Sequence, residues 1–199
     1  MDLVIVAGFL GSGKTTLVLS TIGKIVEDHG KKVVVIVNDF GTVGIDGKIM
    51  TKYGLQVQEL ASGCICCTLG PDLLTTVRDV EKGFNPDLVV IEPTGVADPQ
   101  AIIDCMKHYP GTPPRSIRTI VAVDAVRFHA IMKALNRPLT AQLKAADVIL
   151  INKADAVSAD ALKGMEAELR EINADRPIIP TSATGGTNID KVVEAMVGA

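Results

Sequence analysis

Short, strongly apolar runs recur along the chain at residues 3–7, 32–38, 88–91, 119–124, 148–152 and 177–181. They are rich in Val and Ile with little polar alternation, the signature of strands covered on both faces, as in a parallel sheet. Between them, apolar residues return every three or four positions and predict helices over 14–29, 70–82, 98–108, 126–145 in one or two pieces, 158–171 and 188–197. Strand and helix in strict alternation predict an α/β fold, a doubly wound and mostly parallel sheet flanked by helices. A shorter run at 55–60 alternates apolar and polar residues, as an edge or hairpin strand does. Three prolines within 109–114 mark a rigid surface loop.

Composition narrows the partners. With 199 residues, 47% of them hydrophobic, the chain builds one substantial core and is expected to form a single domain over 1–199. A net charge of -3, aromatics at 3% and no Trp provide neither a basic surface nor stacking platforms, which excludes nucleic acid as a partner. The longest apolar stretches fall short of the roughly 18 residues that a membrane span requires, and no basic segment precedes the first strand. No membrane partner and a cytoplasmic location are therefore expected. Of four cysteines, three crowd at positions 64, 66 and 67, a poor disulfide framework but a good cluster of metal-binding or reactive thiols in a reducing compartment.

The chemistry begins at Gly8-Phe9-Leu10-Gly11-Ser12-Gly13-Lys14-Thr15, the pattern G-x-x-x-x-G-K-[ST] placed after an apolar strand and before a helix. There the amides of Gly11, Ser12 and Gly13, with Thr16 in the first helical turn, cradle phosphate oxygens where the helix dipole adds positive potential. Lys14 is expected to reach the β and γ phosphates and Thr15 to ligate Mg²⁺ through its hydroxyl. Glu92 closes an apolar strand where nucleoside triphosphatases place an acidic residue that orients Mg²⁺, and Asp39 is a second carboxylate expected near the phosphates. Lys14, Asp39 and Glu92 are the candidate catalytic residues. Gly95 lets a backbone amide approach the γ phosphate, and Gly41, Gly44 and Gly47 make the segment after Asp39 fit to sense it.

Asn152-Lys153-Ala154-Asp155 ends another strand. The Asp155 carboxylate only accepts, so it takes the N1 and N2 hydrogens of guanine and repels the acceptor at N1 of adenine. Ser182 and Ala183 follow the last strand, where small residues let backbone amides approach the guanine carbonyl oxygen. Taken alone, Asn152 to Asp155 is also an ordinary strand-to-turn sequence; the upstream phosphate loop gives it meaning.

Cys64 and Cys67 have the C-x-x-C spacing of zinc and redox sites, and Cys64 and Cys66 share one side of an extended segment. Pro71 suits the first turn of a helix beginning near 70, which would place the thiols just before a helix N-terminus, where positive potential favours the thiolate. The remaining ligands of a metal held there stay open among Glu59, Asp39, His108, Cys105 and a second subunit.

Together these motifs resemble the CobW/HypB/UreG family of SIMIBI-class P-loop GTPases, most closely its CobW-like branch, from Val4 to about Val193. The marks are Gly8 to Thr16, Val37-Asn38-Asp39-Phe40-Gly41, Val43-Gly44-Ile45-Asp46-Gly47, Gly63-Cys64-Ile65-Cys66-Cys67-Thr68 and Ile91-Glu92-Pro93-Thr94-Gly95-Val96-Ala97-Asp98-Pro99. The resemblance implies a slow Mg²⁺-dependent GTPase that binds GTP and GDP. It also implies delivery of a transition metal, Zn²⁺, Co²⁺ or Ni²⁺, to a client metalloenzyme or cofactor-assembly protein, with Cys64, Cys66 and Cys67 as the metal-binding signature. A nucleotide- or metal-dependent homodimer is implied as well. Many CobW-like members carry a further C-terminal domain, which is not expected within 1–199. Two other readings compete: a GTPase chaperone of a corrinoid enzyme or metalloenzyme with a structural or redox cysteine site, and a P-loop small-molecule kinase. The guanine-reading sequence, and the lack of an arginine-rich lid segment, weigh against the kinase.

Overall fold

The computed structural model describes residues 1–37, 56–59 and 65–198, with side chains described outside 56–59 and 65–70. Its strands are β1 (Asp2–Ala7), β2 (Val33–Val37), β3 (Gln56–Glu59), β4 (Leu88–Glu92), β5 (Ile117–Asp124), β6 (Val148–Asn152) and β7 (Ile178–Pro180). The helices are α1 (Lys14–His29), α2 (Ile65–Phe84), α3 (Pro99–Met106), α4 (Phe128–Ala134), α5 (Asn136–Ala145), α6 (Ala159–Ile172) and α7 (Ile189–Val197). Among the described residues the strands form a seven-stranded sheet in the order β3-β2-β4-β1-β5-β6-β7. Every pairing in it is parallel.

β1 lies at the centre, between β4 and β5. From it the chain winds first towards β2 and β3, then returns to β4 and crosses to β5, β6 and β7. The carboxyl end of β1 is thus the point where the winding reverses, the place where open α/β sheets hold their ligands. Alternate residues of the strands face two cores. Leu3, Ile5, Ile91 and Val121 pack with Leu73, Val77, Ile102, Leu143 and Met165 on one side. Val4, Val6, Val35 and Val90 pack with Leu17, Ile22, Ile25, Val192 and Met196 on the other. Burial on both faces is why these strands read as unbroken apolar runs.

Local chemistry sets the helix ends. α1 stops at Gly30, whose left-handed φ of 61° turns its N–H back to the carbonyl of Val26. α3 starts at Asp98, whose carboxylate accepts from the Gln100 amide, with Pro99 in the first position. The predicted helical region 126–145 resolves into two pieces, broken at Leu135, which leaves the helical region at φ −134° and ψ 43°. The alternating run at 55–60 becomes β3, an edge strand parallel to β2 rather than one arm of a hairpin with it.

One boundary differs from expectation. α2 begins at Ile65 rather than near 70, so Cys66 and Cys67 belong to its first turn and Pro71 lies inside it. The extended segment expected to carry the thiols up to a helix N-terminus is therefore helical from Ile65 onward. At the seventh position of the helix Pro71 has no N–H for the bond to the carbonyl four residues back, and the helix nonetheless runs through it. The carbonyl of Pro71 in turn accepts from the Thr75 hydroxyl at 2.7 Å.

Ile5 stands at the middle of the sheet, opposite Ile91 on one side and Thr119 on the other, with no exposed surface. Ile5→Ala is expected to lower unfolding stability by about 2–5 kcal/mol, seen as a lower urea midpoint at unchanged slope. A shift below about 1 kcal/mol would mean that the core collapses readily around the lost atoms.

Candidate functional site

The chain leaves β1 at Ala7 and turns into α1 through residues 8–13. The Ser12 amide closes this loop on the Phe9 carbonyl at 3.0 Å. Two glycines in it have no substitute. Gly8, at φ 139°, passes the neighbouring strand so closely that a Cβ would lie 2.2 Å from the Ala122 carbonyl oxygen. Gly13, at φ 89°, would meet the Asn152 Nδ2 at 2.3 Å. The loop is therefore seated directly on β5 and β6 by backbone alone.

Lys14, at the first position of α1, is buried, and its Nζ reaches the Phe9 carbonyl at 3.5 Å. Burial pushes its ammonium below the ordinary lysine value, while the Glu92 carboxylate opposes the shift. Glu92 ends β4, 8% exposed, and its Oε1 accepts from the Thr15 hydroxyl at 2.6 Å. Burial raises the Glu92 pKa, against the Thr15 hydrogen bond and the Lys14 charge. Three of the residues expected at the triphosphate end, Lys14, Thr15 and Glu92, are thus brought together. Among the described residues, Glu92 Oε2, Thr94 Oγ1 and Ser12 Oγ are buried without a hydrogen-bond partner in the protein. Hard, oxygen-rich and partly unsatisfied, the pair Thr15–Glu92 suits Mg²⁺, which takes one or two protein oxygens and completes its shell with phosphate and water.

Gly95 packs against the same loop, since a Cβ there would lie 2.6 Å from the Leu10 amide nitrogen. Its carbonyl and that of Ala97 are held by Gln142 Nε2 at 3.1 and 2.9 Å. Segment 93–97 is thereby fixed between the phosphate loop and α5.

On the base side, buried Asn152 spans two elements. Its Nδ2 donates to the Ser12 carbonyl at 2.7 Å, and its Oδ1 accepts from the Ala183 amide at 3.1 Å. The Ala183 N–H, expected near the guanine oxygen, is thus directed at Asn152. The amides of Thr181 and Ser182 are likewise given to the carbonyls of Ile151 and Thr187, and Ser182 Oγ accepts from the Gly185 amide. Lys153 sits at φ 61° and its Nζ bonds Asp124 Oδ2 at 2.8 Å. Asp155, the residue expected to read the base, lies exposed in the short 3₁₀ turn Ala154–Ala156.

Asp39 and Cys64 lie outside the described residues, as does the glycine-rich segment 41–47; for Cys66 and Cys67 only the backbone in α2 is described. Among the described residues no three or more His, Cys, Asp or Glu side chains group as metal ligands. Nor, among them, is any helix long and apolar enough to cross a membrane. Three residues at the site carried no motif. Asp124 had the better signal, an acid closing an apolar strand as Glu92 does; Arg127 and Gln142 become visible only through contacts across the fold.

An acid whose folded pKa exceeds its unfolded one stabilises the folded chain fully below the unfolded pKa, and that contribution is lost as pH rises through the folded pKa. Glu92 is such an acid. The nucleotide-free wild type is therefore expected to lose stability relative to Glu92→Gln as pH rises from about 4.3, the ordinary glutamate value, through the raised one. Paired urea titrations across this window measure the difference; a difference flat with pH would place Glu92 in the ordinary range.

Comparison with known proteins agrees with this geometry. The family model described as CobW/HypB/UreG, nucleotide-binding domain, matches residues 2–180. The chain is 32% identical to the zinc chaperone YeiR of Escherichia coli (strain K12), over 88% of its own length and 53% of that protein. It is 36% identical to the zinc chaperone YjiA of the same organism, over 87% and 55% respectively. The crystal structure of Zn(II)-bound YjiA GTPase from E. coli superposes with a TM-score of 0.66, covering 91% of this chain and 57% of that one at 30% identity. The hydrogenase maturation factor HypB from Archaeoglobus fulgidus shares the fold at a TM-score of 0.70 and 22% identity, covering 98% and 87%. The chain spans about half the length of the curated relatives it matches. With a phosphate loop, a strand-end carboxylate and the Asn152–Asp155 turn assembled at the point where the sheet winding reverses, and with a family match over nearly the whole chain, this protein belongs to the CobW/HypB/UreG family through its nucleotide-binding domain.

Proposed function

We propose that residues 1–199 act as one nucleotide-binding domain, a Mg²⁺-dependent GTPase that couples GTP binding and hydrolysis to delivery of a transition metal to a client metalloenzyme or cofactor-assembly protein in the cytoplasm. The observation that carries this is the convergence of Lys14, Thr15 and Glu92 with the Asn152–Asp155 turn around one phosphate loop. Lys14 holds the β and γ phosphates together with the amides of Gly11, Ser12, Gly13 and Thr16. Thr15 and Glu92, with Asp39, hold Mg²⁺, and the Gly95 segment faces the γ phosphate. When bound, Mg²⁺ neutralises charge that develops on the phosphate oxygens during hydrolysis. Asn152 and Lys153 brace the base-reading turn, Asp155 selects guanine by accepting from its N1 and N2 hydrogens, and Ser182 and Ala183 close the far side of the base.

The metal is cargo, held by Cys64, Cys66 and Cys67, and the zinc chaperone names of the relatives favour zinc over cobalt or nickel. The fold supplies a route between the two sites. Gly95 touches the phosphate loop, Ala97 belongs to the same core cluster as Leu73 and Val77 of α2, and α2 carries Cys66 and Cys67 in its first turn. A change at the γ phosphate thus reaches the thiol-bearing helix through one short segment.

Titrating Co²⁺ into the reduced protein, with GDP or with a non-hydrolysable GTP analogue, and following thiolate-to-cobalt absorption tests the coupling. The expected result is a different metal affinity in the two nucleotide states, with the absorption lost in Cys66→Ser/Cys67→Ser while GTP hydrolysis persists. Identical affinities in both states would overturn the coupled carrier and leave a structural thiol site.

Exposed apolar side chains support dimerisation across the nucleotide face. Leu10 is 84% exposed, Val96 56% and Val126 58%, three large apolar side chains around the phosphate loop. Sedimentation is expected to show a dimer with the GTP analogue and a monomer in Val96→Asp, which still binds nucleotide. A dimer that survives Val96→Asp would move the interface elsewhere.

A further inference from the structure

The guanine-reading turn and the phosphate loop are tied to one buried carboxylate. Asp124 closes β5 with its side chain fully out of solvent. Its Oδ2 receives both the Lys153 ammonium and the Arg127 Nε, each at 2.8 Å. Its Oδ1 receives the amides of Val126 and Arg127 at 2.9 and 3.3 Å. Burial acts to raise the Asp124 pKa, but the hydrogen bonds from Lys153 and Arg127 prevail and hold it below the ordinary aspartate value. The carboxylate is thus a fixed anion between two cations.

Arg127 then continues outward. Its Nη2 donates to the Leu10 carbonyl in the phosphate loop at 2.8 Å, and a Cβ on Gly11 would lie 2.6 Å from that same nitrogen. The guanidinium is a rigid planar fork, so anchoring Nε on Asp124 fixes where Nη2 can sit. Leu10 and Gly11 are therefore shaped from outside by a side chain whose orientation Asp124 dictates. Asn152, through the Ser12 carbonyl, is a separate tie at the other end of the loop.

Resting on the GTPase reading above, we propose that Asp124 and Arg127 are positioning residues that set the phosphate loop at Leu10–Gly11 and link its shape to the base-reading turn through Lys153. Arg127 acts on the phosphate side alone. Asp124 acts on both, because the same oxygen holds Lys153. A lysine at 127 cannot stand in, since a point cation on a flexible stem does not span the carboxylate and the Leu10 carbonyl at once.

The test is competition of GDP, GMP and ADP against a fluorescent GDP on the full chain, with urea unfolding alongside. GMP reaches the base turn but places no phosphate as deep in the loop as GDP does. Arg127→Met is expected to lower the GDP-to-GMP affinity ratio by about tenfold, the scale of one lost charge-assisted hydrogen bond, while the GDP-to-ADP ratio stays close to wild type and urea unfolding, at a lower midpoint, remains cooperative. Arg127→Lys is expected not to restore it. Asp124→Asn is expected to lower both ratios; should it fail to fold, the Arg127 variants still decide. A wild-type GDP-to-GMP ratio in Arg127→Met, or a loss for GMP as large as for GDP, would overturn the positioning role. A wild type that binds ADP as well as GDP would instead overturn the guanine reading itself, a distinct result.

Discussion

Everything at the site depends on two unlike charges kept out of water, the Lys14 ammonium and the Glu92 carboxylate. Neither charge is comfortable there, since burial drives both pKa values towards the neutral forms. The sheet nonetheless holds the two groups together. Lys14 is the first residue of α1 and Glu92 the last of β4, and β1, which leads into α1, is paired with β4 in fixed parallel register. The mutual attraction offsets part of the desolvation cost but not all of it, leaving a buried amine beside a partly unsatisfied set of oxygen donors. A site that is uncomfortable without its ligand is stabilised when the ligand supplies the missing charges.

The same geometry explains why so few residues suffice. Parallel strands deliver their carboxyl ends to one edge, and β4, β5 and β6 each finish on a polar residue: Glu92, Asp124 and Asn152. These three meet the phosphate loop from below through Thr15, Arg127 and the Ser12 carbonyl respectively. Gly8 and Gly13 let the loop settle on that edge at distances no side chain allows. Backbone approach and strand-end polarity are two halves of one arrangement: without the glycines the loop would stand off, and the three polar termini would face solvent instead of the loop.

What the sequence made legible follows from how local each signal is. The strands were readable because burial on both faces removes polar residues from five or six successive positions. Lys14, Thr15, Glu92 and Asn152 were readable because each stands at a strand or helix end with a fixed spacing to its neighbours. The start of α2 was misplaced because Pro71 is a strong local cue for a first turn, yet the helix runs through it. Arg127 and Gln142 were not readable at all: their partners, Leu10 and the carbonyls of Gly95 and Ala97, are far away in sequence and meet them only after the sheet is wound. Asp39 and Cys64 fall outside the described residues, so their placement rests on the sequence alone.

Under the proposed function, Gln142 would join nucleotide state and cargo without a long-range motion. Its amide donates to the carbonyls on both sides of Val96, so residues 95–97 are pinned together to α5. One end of that unit lies against Leu10 of the phosphate loop, and the other, Ala97, shares a core with Leu73 and Val77 of α2. Packed cores shift between discrete arrangements rather than deforming smoothly, so under the proposed function a hydrogen bond formed to the γ phosphate would pass to the helix as a repacking step. Coupling of this kind runs equally in both directions: whatever factor nucleotide imposes on metal affinity at the start of α2, metal must impose on nucleotide affinity. Under the proposed function, a cargo-loaded domain would then hold its nucleotide with a different strength from an empty one.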